Sequence, residues 1–421
     1  MVPDESFFSA PTGTYLPVVH RHGARSSTAG GRLDLIERLA RDWLRVAFLQ
    51  TRIRMASVSS NKGVNDLQQS QVSIPVTSGE EIGSGDYVVT VGFGTPAKQQ
   101  TVIFDTGSNV CWIQCQPCVG TCYKQKETIF DPSSSTSYRN VSCDSNACSN
   151  LDTSGCSGGT CLYSVRYGDN SSTVGFLATE TLSLSPDDVY RNFVFGCGEQ
   201  NQGLFSGVAG LVGLARSPSS LVSQVSKTLG DVFSYCLPVS NSTGYLSIGK
   251  SFAPNVAYTP MLADTPAPSL YFIDLVGISV GGSKLPVPPS VFRSGGTIID
   301  SGTVITRLPS SAYSALRSAF RKAMSQYQQS EPVSVLDTCY DFSGVQNVSY
   351  PTITLHYDGA DVALELAGVL LSVEGTVACL PFVGNVDPSE VSIIGNLQQL
   401  GMEVIYDIGE QKIGFAPGAC S

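Results

Sequence analysis

Phe104-Asp105-Thr106-Gly107-Ser108 and Ile299-Asp300-Ser301-Gly302-Thr303 are two copies of one short pattern, separated by about half the length of a 421-residue chain. An apolar run precedes each copy, Thr101-Val102-Ile103-Phe104 and then Gly296-Thr297-Ile298-Ile299, and reads as a buried strand delivering an aspartate. The small hydroxyl residue and glycine that follow predict a tight turn, in which glycine can take positive φ and let the opposing backbone approach closely. If the two halves are related by an approximate two-fold axis, both carboxylates meet at that axis and share a proton. One Asp-[Thr/Ser]-Gly tripeptide is usually an ordinary turn, whereas two in matched context carry information.

The match extends outward. Gly210-Leu211-Val212-Gly213-Leu214 follows the first copy and Ile393-Ile394-Gly395-Asn396 follows the second, each an apolar pair plus glycine. This order resembles the pepsin-like aspartic proteases, in which the later segment threads beside the Asp loop of its own lobe. The resemblance covers nearly everything from about Gly85 onward. The cysteine pattern, Tyr167-Gly168-Asp169 and the ending Lys412-Ile413-Gly414-Phe415-Ala416-Pro417 bring it closer to the plant nepenthesin-like branch.

The resemblance implies a mostly β, bilobal fold with two pseudo-symmetric β lobes around a central cleft, preceded by a helical propeptide. It implies an aspartic-type endopeptidase, made as a zymogen and active at acid pH, with Asp105 and Asp300 as its dyad and no metal or other cofactor. Two carboxylates held about 3 Å apart cannot both ionise; aspartic proteases are the known example of one pKa falling while its partner's rises. Thr106, Gly107, Ser108, Ser301, Gly302 and Thr303 are expected to support the dyad, the hydroxyls of Ser108 and Thr303 bonding the outer oxygens. Tyr167 and Gly168 match a flap that closes over substrate, and Trp112, seven residues after Asp105, matches the tryptophan that bonds the flap tyrosine.

Composition agrees with a secreted β protein. Abundant Gly, Ser, Thr and Val with few charges suit short strands and many turns, and no stretch approaches 18 consecutive apolar residues, so no membrane span is expected. The start, Met1 to Ser6, lacks the basic-then-apolar pattern of a secretory signal. Thirteen cysteines, nine of them between Cys111 and Cys197, nevertheless favour an oxidising compartment and a signal already removed. Extracellular delivery to the cell wall is the first expectation, with vacuole or plastid as alternatives. Four sequons, at Asn140, Asn170, Asn241 and Asn347, fit the same route. Cys115-x-x-Cys118 followed by Cys122 could instead hold zinc, but nearby histidine and a second compact ligand pair are lacking. The family resemblance implies six bridges: Cys115 with Cys118, Cys122 with Cys197, Cys143 with Cys161, Cys148 with Cys156, Cys236 with Cys420, and Cys339 with Cys379. Cys111 is left over, as a small buried hydrophobe.

Charge divides the chain. Residues 1–79 carry nine Lys+Arg against six Asp+Glu, leaving sixteen against twenty-nine for the remainder. Within this basic leader, Leu35, Ile36, Leu39, Trp43, Val46 and Ala47 recur at helical spacing, with Arg38, Arg41, Asp42 and Arg45 between them, predicting an amphipathic helix. Nucleic-acid or membrane binding would be one use for it. An acidic body repelled by phosphate and acids interleaved with the arginines favour a propeptide, so no nucleic-acid partner is expected. The polar run Ser57 to Gly85 would be its linker. The expected division is therefore 1–79 propeptide and linker, 80–263 an N-terminal lobe with a Cys-rich insertion, and 264–421 a C-terminal lobe, the whole a monomer acting on polypeptides. A helix is predicted over Ser311 to Gln326, where Tyr313, Leu316, Phe320 and Met324 are spaced by three or four.

Other chemistries fare worse. The body's single histidine, His356, has no nucleophile motif beside it. Gly244 to Ser251 satisfies a phosphate-loop pattern, but its middle alternates like a strand and Pro254 interrupts any following helix. Two further readings stay open: a binding protein like the plant xylanase inhibitors that have lost catalytic residues on this fold, and a two-carboxylate glycoside hydrolase. Intact aspartates, glycines and flap tyrosine favour the protease.

Overall fold

The computed structural model describes residues 14–20, 35–59, 87–167, 171–203, 205, 207–239, 244–251, 253–263 and 265–420. The anticipated linker lies largely in residues 60–86, outside them, as do Gly168, Asn170 and Asn241.

The first aspartate ends strand β3 (Lys98–Asp105), after β1 (Thr14–His20), helix α1 (Leu35–Ser59) and β2 (Tyr87–Phe93). The second follows β12 (Thr297–Ile299), and both emerge from the same arrangement. β8 (Gly210–Gly213) runs parallel to β3, with Val212 opposite Phe104, and antiparallel to β4 (Trp112–Gln114), with Leu211 opposite Trp112. β15 (Ser392–Ile394) runs parallel to β12, with Ile394 opposite Ile299, and antiparallel to β13 (Thr306–Leu308), with Ile393 opposite Arg307. The outer neighbours correspond too: β4 lies parallel to β7 (Val189–Gln202), and β13 lies parallel to β14 (Phe382–Gly384). β8, β12 and β15 are buried along their whole length, covered on both faces as buried parallel strands are.

A 15-stranded sheet crosses the expected lobe boundary. β9 (Val232–Cys236) pairs with β16 (Met402–Asp407), and Ala257–Pro260 pairs with β17 (Lys412–Pro417). β10 (Gly244–Ile248), the supposed phosphate loop, is a strand in this sheet. The leader enters it as well. β1 lies between β10 and β2, with Leu16 and Val18 buried.

Helix α1 extends the expected helix to 25 residues, uninterrupted by Gly or Pro. Val46, Leu49 and Ile53 pack on Leu270, Phe272, Ile298, Val391 and Ile393 of the second half. Burying three such side chains contributes roughly 1.5–3 kcal/mol each. The expected polar and apolar faces need correction, because Trp43 and Ile36 are substantially exposed while Arg41, Asp42, Arg45 and Gln50 are buried. The second helix candidate appears as Ser310–Ala323, with Tyr313, Leu316, Phe320 and Met324 buried.

Four of the six implied disulfides are corrected. Cys115 bonds Cys197, because the parallel register of β4 on β7 sets the two Cα atoms 5.3 Å apart. Cys118 then closes a short loop with Cys122. In the insertion, Cys143 bonds Cys156 and Cys148 bonds Cys161, since Cys156 and Cys161 face each other across a hairpin and each takes a partner from the preceding segment. Cys236–Cys420 and Cys339–Cys379 form as implied, and Cys111 is free and buried.

Candidate active site

Asp105 and Asp300 come together, each 1 % exposed. The amide of Gly107 donates to Oδ1 of Asp105 at 2.9 Å, and the Ser108 hydroxyl donates to its Oδ2 at 2.5 Å. Around Asp300 the equivalent bonds are Gly302 N to Oδ1 at 3.4 Å and Thr303 Oγ1 to Oδ2 at 2.5 Å. The middle residues of the turns cross over. The amide of Ser301 donates to Thr106 Oγ1 at 2.9 Å, and the amide of Thr106 donates to Ser301 Oγ at 3.2 Å. Each turn is thereby braced by the other.

The two glycines serve the expected close approach, of a carboxylate rather than of backbone, and do so without the expected positive φ. Neither is among the residues with positive φ. A Cβ on Gly107 would sit 2.9 Å from Asp300 Oδ1, and one on Gly302 would sit 2.5 Å from Asp105 Oδ1. Glycine is needed so that the opposing carboxylate can approach.

Trp112 and Tyr167 also meet. The indole Nε1 donates to the Tyr167 hydroxyl at 2.7 Å, and Phe205 stacks edge-on against both rings. Supporting residues that sequence reasoning did not single out are Asn396, whose Nδ2 donates to the Ser301 carbonyl at 3.0 Å, and Gln399, whose Nε2 donates to the Asp300 carbonyl at 3.3 Å. Asn396 was within reach, since it follows the apolar-apolar-Gly segment directly.

Arg45 was not singled out either. Helix α1 lays it across both aspartates: Nη2 donates to Asp105 Oδ1 at 2.7 Å and to Asp300 Oδ1 at 3.0 Å, Nη1 to Asp105 Oδ2 at 3.0 Å, and Nε to Asp300 Oδ2 at 3.1 Å. Burial pushes the Asp105 carboxyl up, but the Arg45 charge and hydrogen bonds, with those of Ser108 and Gly107, together outweigh it and hold the group below its ordinary value. Burial likewise works against the Arg45 charge, and the two aspartates overcome it and raise its pKa. Two turns further along the helix, Arg52 donates to the Gly107 carbonyl, Asn109 and Ser269. Gln50 exchanges two hydrogen bonds with the backbone of Val391, at 2.7 and 2.8 Å.

His356 lies elsewhere, in an aligned Ser-His-Asp row. Its Nε2 is 2.7 Å from Ser279 Oγ, and its Nδ1 is 2.6 Å from Asp361 Oδ1. The hydroxyl is the buried end of this row and the carboxylate the exposed one, so a substrate has no approach to the would-be nucleophile.

Among the described residues no helix is long and apolar enough to cross a membrane, and no group of three or more acidic, Cys or His side chains could hold a metal ion.

Comparison with known proteins identifies the family. The xylanase inhibitor N-terminal family matches residues 87–250, and the xylanase inhibitor C-terminal family matches residues 270–417. An aspartyl protease family protein of Arabidopsis thaliana is 45 % identical, covering 98 % of this chain and 89 % of its own. The aspartic proteinase nepenthesin-1 of Nepenthes gracilis is 36 % identical, over 88 % of this chain and 87 % of its own. Among solved structures, the basic 7S globulin of soybean shares the fold at a TM-score of 0.64 and 22 % identity, covering 78 % of this chain and 92 % of its own. The chain belongs to the pepsin-like aspartic protease family, in its plant nepenthesin-like branch, and is an aspartic-type endopeptidase.

Proposed function

We propose that Asp105 and Asp300 are the catalytic dyad of an acid-acting endopeptidase, made as a precursor whose residues 1–79 block the cleft. The observation that carries this reading is the Arg45 guanidinium, which bonds four carboxylate oxygens where a catalytic water and a scissile carbonyl would have to sit.

With Arg45 withdrawn, the two inner oxygens share one proton and hold a water between them. The ionised aspartate takes a proton from that water as its oxygen attacks the scissile carbonyl. The protonated aspartate gives its proton to the carbonyl oxygen, forming a gem-diol. Collapse of the diol with proton transfer to the nitrogen releases the amine and the carboxyl product. Ser108, Thr303 and the amides of Gly107 and Gly302 fix the carboxylates in the required orientation. Tyr167, held by Trp112, closes over the bound chain and excludes water.

The leader has two anchors, β1 in the sheet and α1 over the dyad, so its removal requires cleavage in the segment between α1 and β2. Substrates are polypeptides, and the enzyme acts as a monomer without a nucleic-acid partner. Six disulfides favour secretion, to the cell wall first and to vacuole or plastid as alternatives. Asn140 and Asn347, both exposed, are the described glycan acceptors.

The test is cleavage of a carboxymethylated protein by the acid-treated full chain, with and without pepstatin. Pepstatin-sensitive cleavage at acid pH is the expected outcome. Tight binding to a glycosidase without any cleavage would select the inhibitor reading instead.

A further inference from the structure

Arg307 occupies in the second half the place that Trp112 occupies in the first. Each lies seven residues after its aspartate, each opposes the middle apolar residue of the crossing strand, and each has a parallel strand on its other side. Trp112 turns to the flap. Arg307 brings a charge into a site where its side chain is only 2 % exposed, and its Nη2 donates to Asp42 Oδ2 at 2.8 Å. The backbone amide of Val304 donates to the other oxygen of that carboxylate at 2.5 Å. Trp43 lies over the guanidinium at 5.1 Å, and the buried Nε of Arg307 has no partner.

Asp42 and Trp43 both belong to the leader. Among the described residues outside it, no carboxylate is in ion-pair contact with Arg307. Glu390 lines the adjoining hollow with Gly384, Asn385 and Val386, but its carboxylate accepts from the amides of Val386 and Asp387. What neutralises and covers Arg307 therefore departs with the leader, and an unpaired charge left in a dry site is costly.

We infer that this departure uncovers a two-donor receptor, the Arg307 guanidinium and the Val304 amide, which selects an ionised Asp or Glu side chain at one fixed position of the polypeptide substrate. The inference rests on the reading that residues 1–79 leave the cleft. Asp42 stands three residues from Arg45, about 4.5 Å along the helix. An extended chain advances about 3.3 Å per residue, so the selected position lies within roughly two residues of the scissile bond. The substrate carboxylate takes the place of Asp42 with Trp43 gone.

The test uses the acid-activated full chain and internally quenched, C-terminally amidated peptides in which each position near the cut is in turn Glu or Gln. The working pH is about 5, above the reference value of about 4.3 for Glu. At one position Glu should exceed Gln in kcat/KM by about 10-fold or more, as expected for a charge-assisted hydrogen bond. Arg307→Met should bring that ratio near 1, and Arg307→Lys should keep part of it. Should Arg307→Met fail to fold, the profile of the unaltered enzyme decides alone. Hydrolysis with a ratio near 1 at every position, or a preference confined to peptides with a free C-terminal carboxylate, overturns the acidic selectivity and leaves the protease reading standing. No pepstatin-sensitive hydrolysis of any peptide or of carboxymethylated protein overturns both.

Discussion

Asp105 and Asp300 each follow an apolar strand end, beside the same kind of crossing strand, with matched hydroxyl and amide donors on their oxygens. Seven residues later the halves diverge. Trp112 bonds a tyrosine of its own half, and Arg307 bonds a carboxylate of the leader. The duplicated backbone builds the pair of aspartates, and the unduplicated side chains decide what covers it. A residue shared by both turns should be indispensable, whereas a residue peculiar to one should tune access or selectivity.

The largest effect is expected at the shared positions. Asp105→Asn or Asp300→Ala in the full chain should lower kcat on an acid-denatured protein by about 10³-fold or more, with circular dichroism unchanged, because members of such a unit fail together. Retained turnover in a folded Asp300→Ala protein would remove the symmetry argument.

Asp42 sharpens the comparison through its sign. Asp105, held below its ordinary value, contributes docking stability that is present above about 3.9 and is lost as pH falls through the lowered value. Asp42 is pushed the other way, because burial outweighs Arg307, Val304 and Arg45. Its contribution is therefore full below about 3.9 and is lost as pH rises through the raised value. Not every leader carboxylate promotes acid release, as a simple count of opposite charges would suggest; this one opposes it. Asp42→Asn fixes the side chain in a neutral form like the protonated one that docking favours, so docking is no longer weakened at higher pH and the activation midpoint should move downward by on the order of one pH unit. Stopped activation assays across pH read the shift, and a midpoint that moves upward would reverse the assignment.

Much of this arrangement was legible in the sequence because it is local or repeated. The apolar runs, the turns and the later apolar-apolar-Gly segments specify their strands within a few residues, and the bond of Trp112 to Tyr167 is the one that the family resemblance implies. Arg45 was not legible. Its neighbours Arg41 and Arg52 carry the same charge on the same helix, and what distinguishes it is contact with residues 60 and 255 positions away. Helical periodicity likewise assigned Asp42 and Arg45 to the polar face, since a buried ion pair looks identical to a solvated one until its partner is placed. Four of the six disulfide pairs implied by the family resemblance failed for a related reason: they follow strand register, which the order of the cysteines does not set.

The smallest effect belongs to Cys111, which has no counterpart in the second half. Burial pushes its thiol up to about 12, so a thiol reagent should leave the native protein unmodified and label one site after unfolding without reduction. Cys111→Val should change stability by less than about 1.5 kcal/mol, since volume is conserved at an apolar site. A larger loss in denaturant titration would give the thiol a role that its surroundings do not suggest.

Arg45 is the residue that closes the pair of aspartates. Peptide cleavage by the full chain and by its Arg45→Met variant should be followed from about pH 6 down to roughly pH 3 to 4, the range of the reference Asp and Glu values. The variant lacks the guanidinium that fills the dyad, so it should cleave at least about 10-fold faster at pH 6, and the two curves should converge toward the acid end as the unaltered leader is released. Superimposable curves across the whole range, with the leader intact in both proteins, would contradict the claim that Arg45 holds the dyad closed.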